Sequence, residues 1–342
     1  MKNVPLYRQI VNVFVEQIQS GNRNDGDRLP SESEIVEQFR VSQITAKNAL
    51  NMLADLGYAE RIRGKGTFVR AGHLPRKSFL IGIIFTTLST TVDKELLDQL
   101  EHFAQKEHIR FLFGLSRESI EGENNLIKEY LNSGVDGLII FPTVSETYNN
   151  AIVKLSVDKF PLVLIDRYFD KMAIPSATSN NFDGGFALTK LLLDGGSSRL
   201  CFISTTEENS ATLDRQHGIE AALTERGLPI NKTDWLNLPS DTADENGIQD
   251  FLTAKHPDCV ITVNAHLSRL TSPSTLKLGI CHATFDDPKD CDWYVRQNPQ
   301  GIANMAIHLL KNAMLGAPPA PHNINVPVEI LPGTIANNYK TL

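Results

Sequence analysis

One stretch decides the fold of the N-terminal region: LPSESEIVEQFRVSQITAKNALNMLADLGYAERIRGKGTFV, residues 29–69. Ser31 precedes Glu34 by three residues, the spacing of a capping box, so a helix is predicted to begin after Ser31. Ser42 is predicted to cap the next helix. The buried face of that helix is predicted to contain Ala46, Ala49, Leu50 and Leu53. Two β segments, AERI and GTFV, then flank the basic turn RGKG, which predicts a hairpin whose glycines take positive φ.

A further helix is predicted upstream, in LYRQIVNVFVEQIQSG. Its apolar residues recur with helical spacing at Tyr7, Ile10, Val11, Phe14 and Ile18, and Gly21 ends the pattern. Three helices followed by a hairpin with a cationic tip are the element order of a winged helix-turn-helix, which reads the major groove with its last helix.

The motifs LPSE, VS, T, AL, L, G and GxGTFV occur in this order, and residues 4–70 therefore resemble the DNA-binding module of the GntR family. The helix pattern and the resemblance together imply a set of DNA-binding residues: Ser31, Glu32, Arg40, Ser42, Gln43, Thr45, Lys47, Asn48, Arg63, Gly64, Lys65 and Gly66. The family usually has arginine at the positions of Gln43 and Lys47. Because glutamine favours adenine where arginine favours guanine, the preferred operator is expected to differ from the family's habit.

AGHLPRK, at residues 71–77, is predicted to be a linker. Residues 78–342 have a different pattern of apolar residues. Apolar runs such as FLIGIIFT, VDGLIIFP, FPLVLID, RLCFIS, DCVITV, TLKLGIC and INVPVEI alternate with helical patterns. This alternation predicts parallel sheets covered by helices on both faces, and the length predicts two βαβ lobes. The fold class is therefore α/β: a winged helix-turn-helix at residues 1–70 followed by a two-lobed Rossmann-like domain.

The phrases VLIDR, NNFDGG, LDRQHGIEAALTERGL, TFDDP and RQNPQGIANMAIHLLKNAMLG are spread in order over that second region. They resemble the effector domain of the LacI/GalR repressors and the type I periplasmic binding proteins. A GntR-type head on such a body resembles the arabinose repressor group. The resemblance implies a sequence-specific repressor of carbohydrate utilisation genes, controlled by a small sugar bound in the cleft of this second region. One winged head covers only a half-site of double-stranded DNA, so a homodimer is expected.

Candidate effector residues lie where strands end. Asp166 and Arg167 follow the run FPLVLI, so they emerge at the end of a strand, where ligands of such sheets bind. Arg215 falls near the start of a helix, where its charge opposes the helix dipole. The resemblance implies that Arg215 clamps a sugar, with Asp286 as its acidic partner. It also places the amides of Asn264 and Gln297 in the same cleft.

One segment departs from the family pattern. Between Asn264 and the strand predicted near Leu276, the chain offers only AHLSRLTSPST where the family has a helix. Whether residues 264–287 keep the usual effector contacts is therefore open. The alternatives for the effector are a purine or a sugar phosphate, and activation is the alternative to repression.

Charge is distributed unevenly along the chain, whose formal net charge is −7. Residues 1–77 carry 12 basic and 8 acidic side chains, whereas residues 78–342 carry 21 and 32. No uncharged apolar run approaches the length of a spanning helix and no export signal is recognisable, which predicts a cytoplasmic protein without a membrane partner and disfavours a transport protein. Nucleotide-binding, hydrolase and metalloprotease motifs are missing, so we expect no enzyme activity, no cofactor and no metal site.

Overall fold

The computed structural model describes residues 5–70, 79–143, 149–207, 209–239, 243–317 and 322–335. The chain divides into two compact units, Met1–Phe79 and Leu80–Leu342. The predicted linker at residues 71–77 lies outside the described residues. Each unit has its own hydrophobic core.

Within residues 5–70, three helices precede an antiparallel hairpin, as the sequence predicts. The elements are α1 (Leu6–Gln19), α2 (Glu32–Phe39), α3 (Gln43–Asp55), β1 (Ala59–Ile62) and β2 (Gly66–Val69). The apolar faces of the helices meet in one core, in which Phe14, Ile35 and Leu53 are fully buried. This packing uses only one face of α3 and leaves its opposite face exposed.

Both predicted caps are confirmed. The Glu34 N–H donates to Ser31 Oγ (3.3 Å), and the Ser31 N–H donates to the Glu34 carboxylate (2.6 Å), which completes the capping box of α2. The Thr45 N–H donates to Ser42 Oγ (3.2 Å) at the start of α3. These bonds satisfy amide groups that have no partner within the helix. They fix where α2 and α3 begin.

The second unit alternates strands and helices. Its first half contains β3 (Leu80–Phe85), α4 (Thr91–Lys106), β4 (Arg110–Leu115), α5 (Ile120–Asn132), β5 (Gly137–Ile140), α6 (Asn150–Val157), β6 (Leu162–Ile165), β7 (Ser176–Ser179) and α7 (Asn181–Asp194). Its second half contains β8 (Leu200–Thr205), α8 (Ser210–Glu225), β9 (Trp235–Leu238), α9 (Glu245–Lys255), β10 (Cys259–Thr262), α10 (Ala265–Leu278), β11 (Cys281–Phe285), β12 (Trp293–Arg296), α11 (Pro299–Met314), β13 (Asn323–Val326) and β14 (Glu329–Pro332).

Among the described residues, these strands form two six-stranded sheets, one in each lobe. The first sheet has the order β13-β7-β6-β5-β3-β4 and is parallel throughout. The second has the order β14-β12-β11-β10-β8-β9, in which β14 alone is antiparallel to its neighbour. The backbone passes from one sheet to the other after β7, β12 and β13, so the prediction of two βαβ lobes is confirmed.

Two of the predicted strands are wrong in extent. TLKLGIC was expected to be a strand, but its first residues belong to α10, which ends at Leu278 and is capped by Gly279 with a φ of 67°. The expectation that this segment lacks the family's helix is therefore also wrong. Asn264 caps α10, and the hydroxyls of Ser272 and Thr275 donate to carbonyls of the same helix. A sequence rich in serine and threonine can be helical when its side chains bond back to the helix in this way.

The run INVPVEI was expected to be one strand, but it contributes β13 to the first sheet and β14 to the second. Pro327 lies between them and lacks the N–H that a continuous ladder would use. The strands β7, β9 and β12 were not predicted from the sequence. Their sequences are SATS, WLNL and WYVR, which lack the continuous apolar run of the other strands.

Helices α7 and α8 pack unusually closely because two glycines lie between their backbones. A Cβ atom on Gly185 would lie 2.3 Å from the Arg215 carbonyl oxygen, and one on Gly218 would lie 2.1 Å from the Phe182 carbonyl oxygen. Real Cβ atoms do not approach backbone this closely, so both positions require glycine. The close packing sets the distance between Asn181 at the start of α7 and Arg215 on α8.

Candidate functional site

In each of the two sheets, one strand is followed directly by an aspartate whose backbone is left-handed. Asp166 follows β6 with a φ of 64°, and Asp286 follows β11 with a φ of 70°. Their backbone N–H groups still donate across the sheet, to Ala177 and Val295 respectively. Non-glycine residues held in this conformation concentrate at functional sites. The two turns lie at corresponding places in the two lobes.

Arg215 is the most constrained of the predicted effector residues. Its Nε donates to Asn181 Oδ1 (2.8 Å), its Nη1 donates to the Val263 carbonyl (2.6 Å), and its Nη2 pairs with Asp286 Oδ2 (3.2 Å). The guanidinium carbon lies 4.4 Å from the centroid of the Phe285 ring. The side chain is only 6% exposed. Arg215 is therefore held on all sides before any ligand binds.

Arg167 has a similar environment in the first lobe. Its Nη1 donates to the Pro142 carbonyl (3.0 Å), and its guanidinium carbon lies 4.9 Å from the Phe141 ring centroid. Its Nε lies 3.8 Å from the Asp166 carboxylate, too far for a hydrogen bond. Among the described residues, Arg167 Nε and Asp286 Oδ1 are buried polar atoms without a hydrogen-bond partner. One is a donor and the other an acceptor.

Asp93 also belongs to this group, although it is not among the residues predicted from the sequence. Asp93 forms a capping box with Thr90 at the start of α4 and interacts electrostatically with Asp286 and Arg167. Burial raises its pKa, against the lowering effect of its bonds to Thr90. The sequence signal was the T-x-x-D spacing directly after the strand β3. The cluster thus contains three carboxylates and two guanidinium groups.

Burial also raises the pKa of Asp166 to about 6, although the guanidinium groups of Arg167 and Arg215 act to lower it. Asp286 and Asp93 raise it further. The side chain is 16% exposed. Desolvation therefore outweighs the two nearby cations.

This pKa gives a pH prediction for Asp166→Asn. The folded protein retains the Asp166 proton more strongly than the unfolded chain does, so the contribution of this group to stability is present below about pH 4 and is lost as the pH rises through about 6. Asparagine removes this titration. We expect the melting temperature of the variant, relative to the wild type, to rise between pH 4.5 and pH 7.5 in scanning calorimetry. A difference that is independent of pH would contradict the prediction.

Tyr168 connects the two lobes beside this cluster. Its backbone N–H donates to Ser210 Oγ (2.8 Å), and its hydroxyl lies 3.1 Å from both carboxylate oxygens of Asp214 on α8. Burial raises the pKa of Asp214, and burial together with that carboxylate raises the pKa of Tyr168. No local sequence pattern indicates this contact, because it joins residues 46 apart in the chain.

The predicted amides have other partners. Asn264 Oδ1 accepts from the Leu267 N–H (2.9 Å) and caps α10, directly after the Val263 carbonyl that binds Arg215. Gln297 is buried, and its Oε1 accepts from Ser179 Oγ (2.6 Å). The structure thus brings together Asp166, Arg167, Arg215 and Asp286, whereas no hydrogen bond is described from Asn264 or Gln297 to that cluster. Their role as effector contacts stays a prediction.

In the first unit, the predicted reading face of α3 is exposed. Gln43, Lys47 and Asn48 are exposed, while the predicted Ala and Leu stripe is buried. The hydroxyls of Ser42 and Thr45 bond to each other (2.8 Å), so these two side chains are occupied in the helix cap. Arg40 ends α2 with a φ of 51°, which turns the chain into α3.

The hairpin turn has the predicted backbone. Gly64 and Gly66 have φ values of 78° and 120°. Arg63 and Lys65 lie in the same turn, and both side chains are exposed. Arg61 on β1 donates to both Glu32 on α2 and Asn51 on α3. Arg61 therefore anchors the hairpin to the helices, and Glu32, a predicted DNA contact, is occupied by this ion pair.

The described residues contain no group of three or more His, Cys, Asp or Glu side chains placed to hold a metal ion. In that same part of the chain, no helix has the length and apolarity needed to cross a bilayer.

Comparison with known proteins agrees with both units. Residues 6–69 match the family of bacterial regulatory proteins called gntR, and residues 81–269 match the periplasmic binding protein domain. The arabinose metabolism transcriptional repressor of Geobacillus stearothermophilus is 28% identical over 235 residues, which are 67% of this chain and 64% of that protein. The chain thus matches somewhat less than two thirds of this relative's length.

Two crystal structures resemble the second unit in fold. The transcription regulator CcpA of Lactococcus lactis superposes with a TM-score of 0.65 at 16% identity, covering 75% of this chain and 98% of that one. The Cra regulator of Pseudomonas putida, in complex with fructose 1-phosphate, gives a TM-score of 0.65 at 18% identity, covering 75% and 99%. The match to the periplasmic binding protein domain extends over more than half of the residues of this chain. The chain therefore belongs to the periplasmic binding protein domain family, and it carries a gntR-type head.

Proposed function

We propose that the chain is a sequence-specific transcriptional regulator that represses carbohydrate utilisation genes and is controlled by a small sugar bound between its lobes. The observation that carries the proposal is the buried Arg215–Asp286 pair, in a chain that also has a gntR-type head. A guanidinium and a carboxylate can each bridge two neighbouring hydroxyls of a sugar. The arabinose repressor of Geobacillus stearothermophilus supports a role in sugar metabolism.

The two buried polar atoms without partners support this ligand class. Arg167 Nε is a donor and Asp286 Oδ1 is an acceptor, and both belong to the charged cluster. A buried polar group without a partner costs free energy, so a ligand that supplies the missing bonds gains affinity. A sugar hydroxyl both donates and accepts and can therefore serve either atom.

The charge of the cluster favours a neutral sugar over the sugar phosphate alternative. Asp93, Asp166 and Asp286 outnumber Arg167 and Arg215. A phosphate would add negative charge to a site in which the Asp286 carboxylate already acts to raise the pKa of Asp93 and of Asp166. A purine remains the other alternative, and activation remains the alternative to repression. The charged cluster has the donors and acceptors of a binding site, and we propose no catalysis.

We also propose that the protein acts as a homodimer in the cytoplasm, where its DNA would be. One winged head covers one half-site, and paired heads are needed to bind half-sites about 34–36 Å apart or a multiple of that spacing. A ligand then changes DNA affinity through a coupling free energy, typically about 1–3 kcal/mol.

A thermal-shift screen tests the proposed ligand class. The full chain is heated with pentoses, hexoses, their phosphates and purines, because a ligand of the folded state raises the melting temperature. We expect a neutral sugar to give the largest rise and to change retention of a selected DNA duplex. A rise with a purine or a phosphate alone would favour the alternative ligand, and no saturable, salt-sensitive retention of any duplex would refute the regulator.

Lys47→Ala is expected to weaken operator binding and leave the ligand response intact. Lys47 is exposed on α3, and each phosphate contact contributes about one to the slope of log affinity against log salt concentration. We therefore expect the slope to fall by about two in a fluorescence anisotropy titration, about one for each head of the proposed homodimer. Lys47→Arg, which keeps the cation, should retain the slope. An unchanged slope in Lys47→Ala would contradict a phosphate contact, and a lost ligand shift would indicate misfolding.

A further inference from the structure

The first turn of α3 carries an exposed apolar side chain that the hydrophobic core does not use. Ile44 is 72% exposed, whereas the head's core takes Ala46, Ala49 and Leu50 from the same helix. Isolated exposed apolar residues are common on protein surfaces, so exposure alone indicates nothing. The position of Ile44 among polar residues is what gives it meaning.

The surrounding side chains are those of a surface that meets DNA. Gln43 precedes Ile44, and Lys47 and Asn48 lie three and four residues later, which places all of them on the exposed side of α3. Ser42 and Thr45 are bonded to each other and cap the helix. The first turn therefore offers base edges one amide, from Gln43, and one branched apolar group, from Ile44.

The major groove contains one apolar group that such a side chain can bury, the C5-methyl of thymine. Helices of this motif contact base edges with their N-terminal residues, and Ile44 is the second residue of α3. Contact with a methyl group would remove the exposed Ile44 side chain from water, a gain that no other base edge in this groove offers.

We propose that Ile44 is a specificity-determining residue that selects an operator with thymine at one position of each half-site by contacting the thymine methyl. The inference rests on the proposed function, because it requires that α3 enters the major groove. It extends that function by naming the chemical group that the helix recognises beside the base read by Gln43. The alternative is that the exposed Ile44 side chain contacts the surface of another protein.

Replacing thymine by uracil tests the proposal, since the two bases differ only in that methyl. A duplex is first selected from a random library by retention on the full chain, and each dT is then replaced singly by dU. We expect one position per half-site at which dU weakens wild-type binding about fourfold, the effect of burying one methyl-sized group. Ile44→Ala should bind the dT and dU duplexes equally, whereas Ile44→Val should still distinguish them.

Val13→Ala is the matched control, because Val13 is an exposed β-branched residue on α1 of the same unit. It should leave the dT preference unchanged. The proposal is overturned if no dT position discriminates, or if Ile44→Ala keeps the same preference as the wild type. Failure to select any duplex would instead refute the proposed function, and with it this inference. If a duplex is selected but no single replacement of dT by dU weakens its binding, the inference about Ile44 is refuted and the proposed function is not.

Discussion

Arg215→Ala is expected to abolish the response to the effector, with at least about a 30-fold loss of affinity for the sugar found in the thermal-shift screen. Arg215 is buried and bonded to Asn181, Val263 and Asp286, so its position is fixed before the ligand binds. Truncating one member of a buried, hydrogen-bonded charge pair typically costs about 2–5 kcal/mol, and 1.4 kcal/mol is tenfold in affinity. Isothermal titration calorimetry measures the loss directly.

Stability must be separated from binding in this experiment. Arg215→Ala leaves the Asp286 carboxylate buried without its cation, which by itself costs about 3–5 kcal/mol of unfolding free energy. The double variant Arg215→Ala, Asp286→Ala should recover part of that stability and still bind no sugar. Arg226→Ala is the matched control: Arg226 also belongs to the α8 region, but its ion pair with Asp194 is exposed and should contribute little. Normal sugar affinity in Arg215→Ala would refute the assignment of the cleft.

Gly218→Ala is expected to be strongly destabilising. The added methyl carbon would lie 2.1 Å from the Phe182 carbonyl oxygen and 2.8 Å from the Phe186 nitrogen, so α7 and α8 must move apart. Backbone cannot yield as a flexible side chain can, and we expect a loss of about 3 kcal/mol, at the upper end of overpacking costs. For a unit of this size, that corresponds to a melting temperature lower by about 6–12 °C in scanning calorimetry.

The control for Gly218 is another helical glycine in the same lobe. Gly247 lies in the first turn of α9, where a Cβ would meet only the Asp244 carboxylate at 3.7 Å. Gly247→Ala should be neutral or stabilise by up to about 1 kcal/mol, because alanine is the better helix former. Equal melting temperatures for Gly218→Ala and the wild type would mean that α7 and α8 are not packed as closely as described.

The same two helices link stability to binding. Separating α7 from α8 would move Asn181 relative to the Arg215 guanidinium that it binds. Gly218→Ala should therefore also weaken effector binding at temperatures where it is folded, although Gly218 itself has no polar side chain to offer a ligand.

Sequence patterns predicted the head almost completely. The spacing of Ser31 and Glu34, the cap at Ser42 and the two glycines of the hairpin are local signals, and each acts within a few residues of itself. Local hydrogen bonds and positive φ angles do not depend on the rest of the fold. For that reason the sequence could specify these features without knowledge of the tertiary structure.

The second unit was predicted in class but less well in detail. Continuous apolar runs identified most of the buried strands, whereas the short strand β7 and helix α10 were missed because their sequences are polar. In α10 the polar side chains bond back to the helix itself, and in β7 the Ser176 and Thr178 hydroxyls donate to side-chain oxygens of β13. These β13 partners lie about 147 residues away from β7, so no local pattern contains them.

The charged cluster divides in the same way. The sequence by itself indicated Asp166, Arg167, Arg215 and Asp286, because strand ends and a family resemblance mark individual positions. Only the tertiary structure decided that Asp93 joins them, that Tyr168 binds Asp214 across the lobes, and that burial raises the pKa of Asp166 to about 6. Desolvation and pairing of charges depend on which surfaces the two sheets bring together, and that proximity is not encoded at any single place in the chain.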